Sequence, residues 1–244
     1  MAKTAGIIVI GNEILSGKTR DENSPYLARE LRDLGVDVRK ISVIPDELHL
    51  ISGEVRSFSS SYDHVFTTGG VGPTHDDLTM AGIAAAFGRS THRHPELEEA
   101  LRQYYSANLV GGNLRMADIP EGARLVGGKG MWFPVTADEN IFMFPGVPEI
   151  LQRKFERIKE MFREAPFHLR EVYLRADEGR IADILHRVLA RFPDLLLGSY
   201  PYFDNPVYSI KLTLESKDAG YLGEAHAMLL AELAKIQLHP VSAS

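Results

Sequence analysis

From Ile7 to Gly88 the chain alternates between strand-length apolar runs and amphipathic helices, and this restricts the possible folds more than any single residue does. Ile7 to Ile10 is an apolar run that ends at Gly11. After a polar loop, Ser24 as N-cap, Pro25 at the first helical position and Gly35 as terminator announce a helix with Leu27, Leu31 and Leu34 as its buried stripe. Val36 to Val43 reads as a second strand, and behind Pro45 and Asp46 the residues Leu48, Ile51, Val55 and Phe58 recur at helical spacing. His64 to Thr68 is a third strand. The glycine-rich segment Gly69-Gly70-Val71-Gly72-Pro73-Thr74 leads from it into a helix expected over Asp77 to Phe87 and closed by Gly88. Strands that alternate with helices in this way predict a doubly wound α/β sheet.

The middle of the chain is less regular. A helix is expected from Pro95 to about Ser106, with short strands at Arg124 to Val126 and Met131 to Val135. Asn140 to Phe144 is a buried strand, and Pro145-Gly146-Val147-Pro148 turns it into an amphipathic helix, Glu149 to Glu164. Beyond Pro166 the order changes to strand, helix, two strands and helix, a small α+β layer. The expected domains are therefore 1–165 and 166–244.

Composition narrows the function classes. The chain has 244 residues with Lys plus Arg at 27 and Asp plus Glu at 33, a net charge of -6 that provides no general attraction for nucleic acid or an anionic membrane. Cys is 0, which removes disulfides, thiolate metal sites and cysteine nucleophiles, so any metal must sit on oxygen or imidazole. The N-terminal residues enter the first strand directly, without the longer apolar core of a signal peptide, and no stretch approaches a membrane span. A cytoplasmic protein is expected.

Two loops carry candidate chemistry. Gly11-Asn12-Glu13-Ile14-Leu15-Ser16-Gly17-Lys18-Thr19 ends like a nucleotide-binding P-loop, but one residue too many separates its glycines and the helix starts too late. It reads either as a loop presenting Glu13 to metal or substrate or as a surface turn. The stronger feature is Thr67 to Thr79. Glycines at a strand's carboxyl end followed by a helix N-terminus make a phosphate cradle, with Thr68, Gly69, Gly70, Gly72, Pro73 and Thr74 as its residues. Asp76 and Asp77 would repel a bare phosphate, so they imply a divalent cation between acid and phosphate, or else they cap the helix. Asp46 carries the same ambiguity between N-cap and site residue, as do Asp21 and Asn23. Thr91-His92-Arg93-His94 reads as a solvated loop. Tyr200, Tyr202 and Phe203 could stack on a ring or pack at a strand end.

The segment Thr67 to Thr79 resembles the signature of the MoaB/Mog molybdopterin-binding fold, and more narrowly of the CinA-like N-terminal domain and its counterpart in eukaryotic FAD synthases. Gly11 to Gly17, Asp21-x-Asn23, Pro120 to Ala123, Phe144 to Pro148 and Gly198 to Pro201 extend the resemblance along nearly the whole chain. It implies a three-layer α/β/α domain with a mixed, mostly parallel sheet, a small α+β domain, and homo-oligomers, dimers in the CinA-like branch. It also implies a nucleotide or pterin ligand, with the residues matching Asp46 and Asp77 in phosphate and metal chemistry and with hydrolysis of ADP-ribose-like or FAD-like compounds. The expected roles follow: Asp76, Asp77 and Glu13 on a cation (Mg²⁺, Mn²⁺ or Co²⁺), Asp46 or His75 taking a proton, and Gly11, Asn12 and Gly146 beside the cradle on the substrate. The alternative is a molybdopterin or nucleotide carrier without turnover. No room remains for the amidohydrolase domain of full-length CinA, so deamidase activity is not expected. Lys129 to Pro134 is bulkier than the glycine-rich segment expected there, which bears on substrate size.

Overall fold

The computed structural model describes residues 2–127 and 133–242 and divides into two compact units, Met1–Glu164 and Ala165–Ser244. The first unit runs β1 (Thr4–Ile10), α1 (Asn12–Leu15), α2 (Asn23–Asp33), β2 (Asp37–Ile44), α3 (Leu48–Ser61), β3 (His64–Thr68) and α4 (Thr79–Ala86). It continues with β4 (Thr91–Arg93), α5 (Pro95–Tyr105), β5 (Asp118–Pro120), β6 (Arg124–Val126), β7 (Val135–Asp138), β8 (Ile141–Phe144) and α6 (Pro148–Ile158). Among the described residues, the main sheet has the order β2-β1-β3-β8-β7-β6. The β2, β1, β3 and β8 neighbours pair in parallel, and β7 joins antiparallel to β8 and β6.

The period-two alternation of β1 explains the layers. Ala5, Ile7 and Val9 point to one face, where Leu27 and Leu31 of α2 and Leu151, Phe155 and Ile158 of α6 complete a core. Ile8 and Ile10 point to the other, where Ile51, Val55 and Phe58 of α3 and Ile83 of α4 meet them. The first unit is thus a three-layer α/β/α sandwich around a mixed sheet, as its strand–helix alternation and family resemblance predicted.

Several local expectations need correction. Thr91–Arg93 is not a loop but a strand paired with Asp118–Pro120, since the extended Thr-His-Arg stretch finds a partner well downstream in the chain. The helix expected to begin at Asp77 begins at Thr79, and its N-terminus has no side-chain cap. Ser24 is not the cap of α2; Asp21 accepts from the Asn23 and Ser24 amides, both at 3.0 Å. Residues 128–132, most of the bulky segment and the start of the strand expected at Met131, lie outside the described residues.

The second unit runs β9 (His168–Leu174), α7 (Glu178–Arg191), β10 (Leu196–Pro201), β11 (Ile210–Ser216) and α8 (Ala219–Lys235). Its antiparallel sheet, β10-β11-β9, buries Ile210, Leu212 and Leu214 against Ile181, Ile184 and Val188 of α7 and Leu222, Leu229 and Leu233 of α8. Asp177 and Asp218 cap the two helices, accepting from the amides of Gly179 at 2.8 Å and Tyr221 at 3.0 Å. Phe203 is 93% exposed, so it is not packed at a strand end. Among the described residues no helix is long and apolar enough to cross a membrane.

Candidate functional site

The parallel strands β1, β3 and β8 end on one edge of the sheet, the edge where open α/β sheets bind ligands. The chain leaves β3 through Gly69, whose φ of 98° and approach to β1 exclude any side chain: a Cβ there would lie 2.0 Å from the Ile10 carbonyl oxygen. At Gly70, φ is 63° and a Cβ would meet the Thr79 hydroxyl at 2.5 Å. These close approaches are held by hydrogen bonds. The Gly69 amide donates to the Phe144 carbonyl at 3.1 Å and the Thr79 amide to the Gly70 carbonyl at 3.0 Å, while the Thr79 hydroxyl donates to the Gly69 carbonyl at 2.7 Å.

Asp77 braces the rest of the loop. Its Oδ1 accepts from the Gly72 amide and its Oδ2 from the Thr74 amide, both at 2.7 Å. The Thr74 hydroxyl, with one proton to give, lies within bonding reach of both Asp76 and Asp77. The expected phosphate cradle is correspondingly smaller than the glycine pattern suggests. The amides of Gly69, Gly72 and Thr74 are used internally, and those of Gly70 and Val71 have no acceptor among the described residues.

Asn23 ties three loops of this edge together. Its Nδ2 donates to the Thr68 hydroxyl at 2.8 Å and to the Gly146 carbonyl at 2.7 Å, and the Thr68 hydroxyl donates to the Pro145 carbonyl at 3.1 Å. The start of α2, the end of β3 and the end of β8 are thereby locked. The buried Asn23 Oδ1 has no protein partner among the described residues.

Between these loops lies a cavity of about 480 Å³. Thr68, Gly69, Gly70, Gly72, Gly146, Glu13 and Asp77 line it, together with Asn23, Asp21 and an apolar wall that includes Met80, Met116 and Phe133. A shallower recess is lined by Asn12, Glu13, Asp46, Asp76 and Lys18. Glu13 is common to both, so the acidic recess adjoins the cavity. Gly11, Pro73, Thr74 and His75 line neither. His75 is 95% exposed, with its Nδ1 3.9 Å from Asp76.

Asp46 does not cap α3. Its Oδ2 accepts from the Asn12 amide at 2.8 Å and thereby positions the short helix α1 that carries Glu13. Burial first, then repulsion from Glu13, Asp76 and Asp77, raises its carboxyl above the usual range against the opposing Asn12 hydrogen bond. The Thr74 hydroxyl pulls Asp76 the other way, below that range. These carboxylates converge electrostatically without forming a closed cage: among the described residues no group of three His, Asp or Glu side chains could hold a metal ion. Such a donor set fits a cation that takes the rest of its shell from phosphate oxygens and water, as Mg²⁺ habitually does.

The sequence reading missed Lys154. It sits on α6 among the buried positions Leu151, Phe155 and Ile158, on the apolar stripe itself, and that interruption is the signal by which it was findable. It lines the cavity, its Nζ donating to the Pro134 carbonyl at 3.3 Å and lying 5.0 Å from the centre of the Phe133 ring. Burial pushes its ammonium down to about 8.

Comparison with known proteins agrees with this architecture. Residues 6–165 match the family described as probable molybdopterin binding domain, and residues 166–241 match the middle domain of FAD synthase. A probable FAD synthase of Caenorhabditis briggsae is 36% identical over 95% of this chain and 49% of its own length. A CinA-like protein of Thermotoga maritima is 33% identical over 77% of this chain and 48% of its own. The chain spans about half the length of these curated relatives. The crystal structure of CinA from Thermoplasma acidophilum superposes with a TM-score of 0.61 at 28% identity, covering 66% of this chain and 100% of that one.

Proposed function

Since the chain belongs to the molybdopterin-binding-domain family and is similar to its CinA-like members, we propose that it hydrolyses the pyrophosphate bond of an ADP-ribose-like or FAD-like compound with the help of a divalent cation. The observation that carries this reading is the glycine loop, braced by Asp77 and Thr79, opening onto a cavity that adjoins a recess of carboxylates. The similarity to FAD synthases supports a nucleotide diphosphate as the substrate class.

In this mechanism the Gly70 and Val71 amides bind the diphosphate, with Gly69 and Gly72 allowing its close approach. Glu13, Asp76 and Asp77 form no three-carboxylate cage, so one or two of them would hold Mg²⁺, Mn²⁺ or Co²⁺ together with phosphate oxygens and water. Asp77 suits this role because its Oδ1 retains an acceptor position beyond the Gly72 bond. When bound, the cation supplies neutralisation of the phosphate charge and activation of water. Asp46, made more basic by its surroundings, takes a proton from the attacking water and passes it to solvent. The water oxygen bonds to phosphorus, the bridging P–O bond breaks, and two monophosphates result. His75, exposed at the loop and lining neither the cavity nor the recess, is the less well placed candidate for that proton.

Mass-spectrometric product analysis with ADP-ribose, FAD, NAD and coenzyme A, each with Mg²⁺, Mn²⁺ or Co²⁺, tests the reading. Cleavage to two monophosphates that is lost in Asp46→Asn is the expected result. Ligand retention with no cleavage under any metal would instead favour a carrier.

A further inference from the structure

Strand order gives the cavity its length. β8 lies next to β3, and β7 next to β8. Because β7 is antiparallel to β8, its start lies on the same edge as the glycine loop that follows β3. Two strand spacings separate them, about 10 Å along that edge. Phe133 and Pro134 immediately precede β7, and α6 brings the Lys154 ammonium onto both. The cavity, which Arg20 also lines, therefore runs from a backbone anion site at one end to the Lys154 ammonium beside an aromatic ring at the other.

We propose that Lys154 is a specificity residue, selecting ligands whose planar heterocycle presents a carbonyl oxygen toward the Phe133 end of the cavity. Placing the diphosphate at the glycine loop rests on the proposed function; the contact made by Lys154 does not require turnover. Met80, Met116 and Phe133 provide polarisable, flat-sided apolar surface that suits a ring better than a second phosphate. An ammonium has three donors and no acceptor, and the Pro134 carbonyl accepts one of them. A ring carbonyl can accept another, whereas an exocyclic amino group cannot. No carboxylate forms an ion pair with Lys154 among the described residues, and 128–132, Gly-Lys-Gly-Met-Trp, contain none. Burial lowers its affinity for a proton, a cost that an acceptor in the cavity offsets.

Inosine diphosphate and adenosine diphosphate test this directly, because they share the diphosphate and ribose and differ in the purine edge, carbonyl against amino. Isothermal titration with Mg²⁺ present is expected to show the wild type preferring the inosine compound by roughly tenfold, the scale of one hydrogen bond to a charged group. Lys154→Met is expected to erase the preference, and Lys154→Arg, which keeps the donors, to retain part of it. Thermal melting of each variant separates lost recognition from lost fold. Equal binding of the two nucleotides by the wild type overturns the proposal. So does uniform weakening of both nucleotides and of inorganic pyrophosphate in Lys154→Met, which would make the lysine a phosphate anchor. If the product assay finds no hydrolysis but the preference appears and depends on Lys154, the hydrolytic reading falls and this one stands.

Discussion

The two ends of the cavity carry opposite charge problems. In the recess that adjoins the glycine-loop end several carboxylates crowd together, and burial with mutual repulsion raises the Asp46 carboxyl. At the Phe133 end a single lysine has no ion-pair partner among the described residues, and burial depresses its ammonium. Each arrangement costs folding stability, and each is relieved by something of complementary character: a cation with its phosphates at one end, an acceptor at the other. The glycine-loop end is built by backbone geometry and tied by many hydrogen bonds, so it tolerates little change. The lysine end rests on one side chain, so altering it affects recognition more than the fold.

The sharpest break in this comparison is Gly69→Ala. A methyl group 2.0 Å from the Ile10 carbonyl, at a positive φ, is expected to cost about 3 kcal/mol or more; urea denaturation of the variant measures it, and a loss within error of zero would mean the loop relaxes freely.

Lys154→Met is expected to move stability the other way. In the unfolded chain the lysine titrates at its ordinary 10.5 and in the fold at about 8. Between these values the unfolded state binds more protons, so wild-type stability rises with pH across that window. Removing the charge is therefore expected to stabilise the fold at pH 7 by about 2 kcal/mol, after allowing for the lost Pro134 hydrogen bond. That gain should shrink above pH 8 and be gone before 10.5, where only the lost Pro134 hydrogen bond remains. Guanidinium titrations at neutral and alkaline pH give both numbers.

Asn23→Ala removes the tie between Thr68 and Gly146 and is expected to cost about 1–2 kcal/mol, with faster amide hydrogen exchange in the loops after β3 and β8 as its local signature.

The smallest effect is expected at Asp46→Asn. A carboxyl raised in the fold is destabilising when ionised, so the penalty is present at neutral pH and disappears as pH falls below the ordinary carboxylate range. The neutral variant should be slightly more stable, by less than about 1 kcal/mol given its solvent exposure. The shift in melting temperature caused by Mg²⁺ should also shrink, and an unchanged shift would remove Asp46 from the cation's surroundings.

Much of the fold was legible because it depends on local physics. The alternation of Ile7 and Val9 with Ile8 and Ile10 presents apolar residues to both faces of β1, and only a two-sided sheet uses both. Positive φ at Gly69 and Gly70 likewise suits residues without Cβ. The acidic residues were harder to read. Capping and site roles call for the same residue types at the same places, and only coordinates show that Asp77 faces back to the loop amides, Asp46 reaches the Asn12 amide and Asp21 caps α2. The segment Thr91–Arg93 looks like a loop in sequence because its partner is Asp118–Pro120, and no local pattern announces a distant hydrogen-bonding neighbour.

The sequence by itself therefore determined the layers, the glycine turn and the chemical types available at the sheet edge, since periodicity and steric permission act over a few residues. Tertiary structure decided which amides were already used, which carboxylates crowd Asp46, and that Lys154 shares a cavity with a loop far away in sequence. Those outcomes depend on strand order and on burial from several directions at once, and neither is encoded in any short stretch of chain.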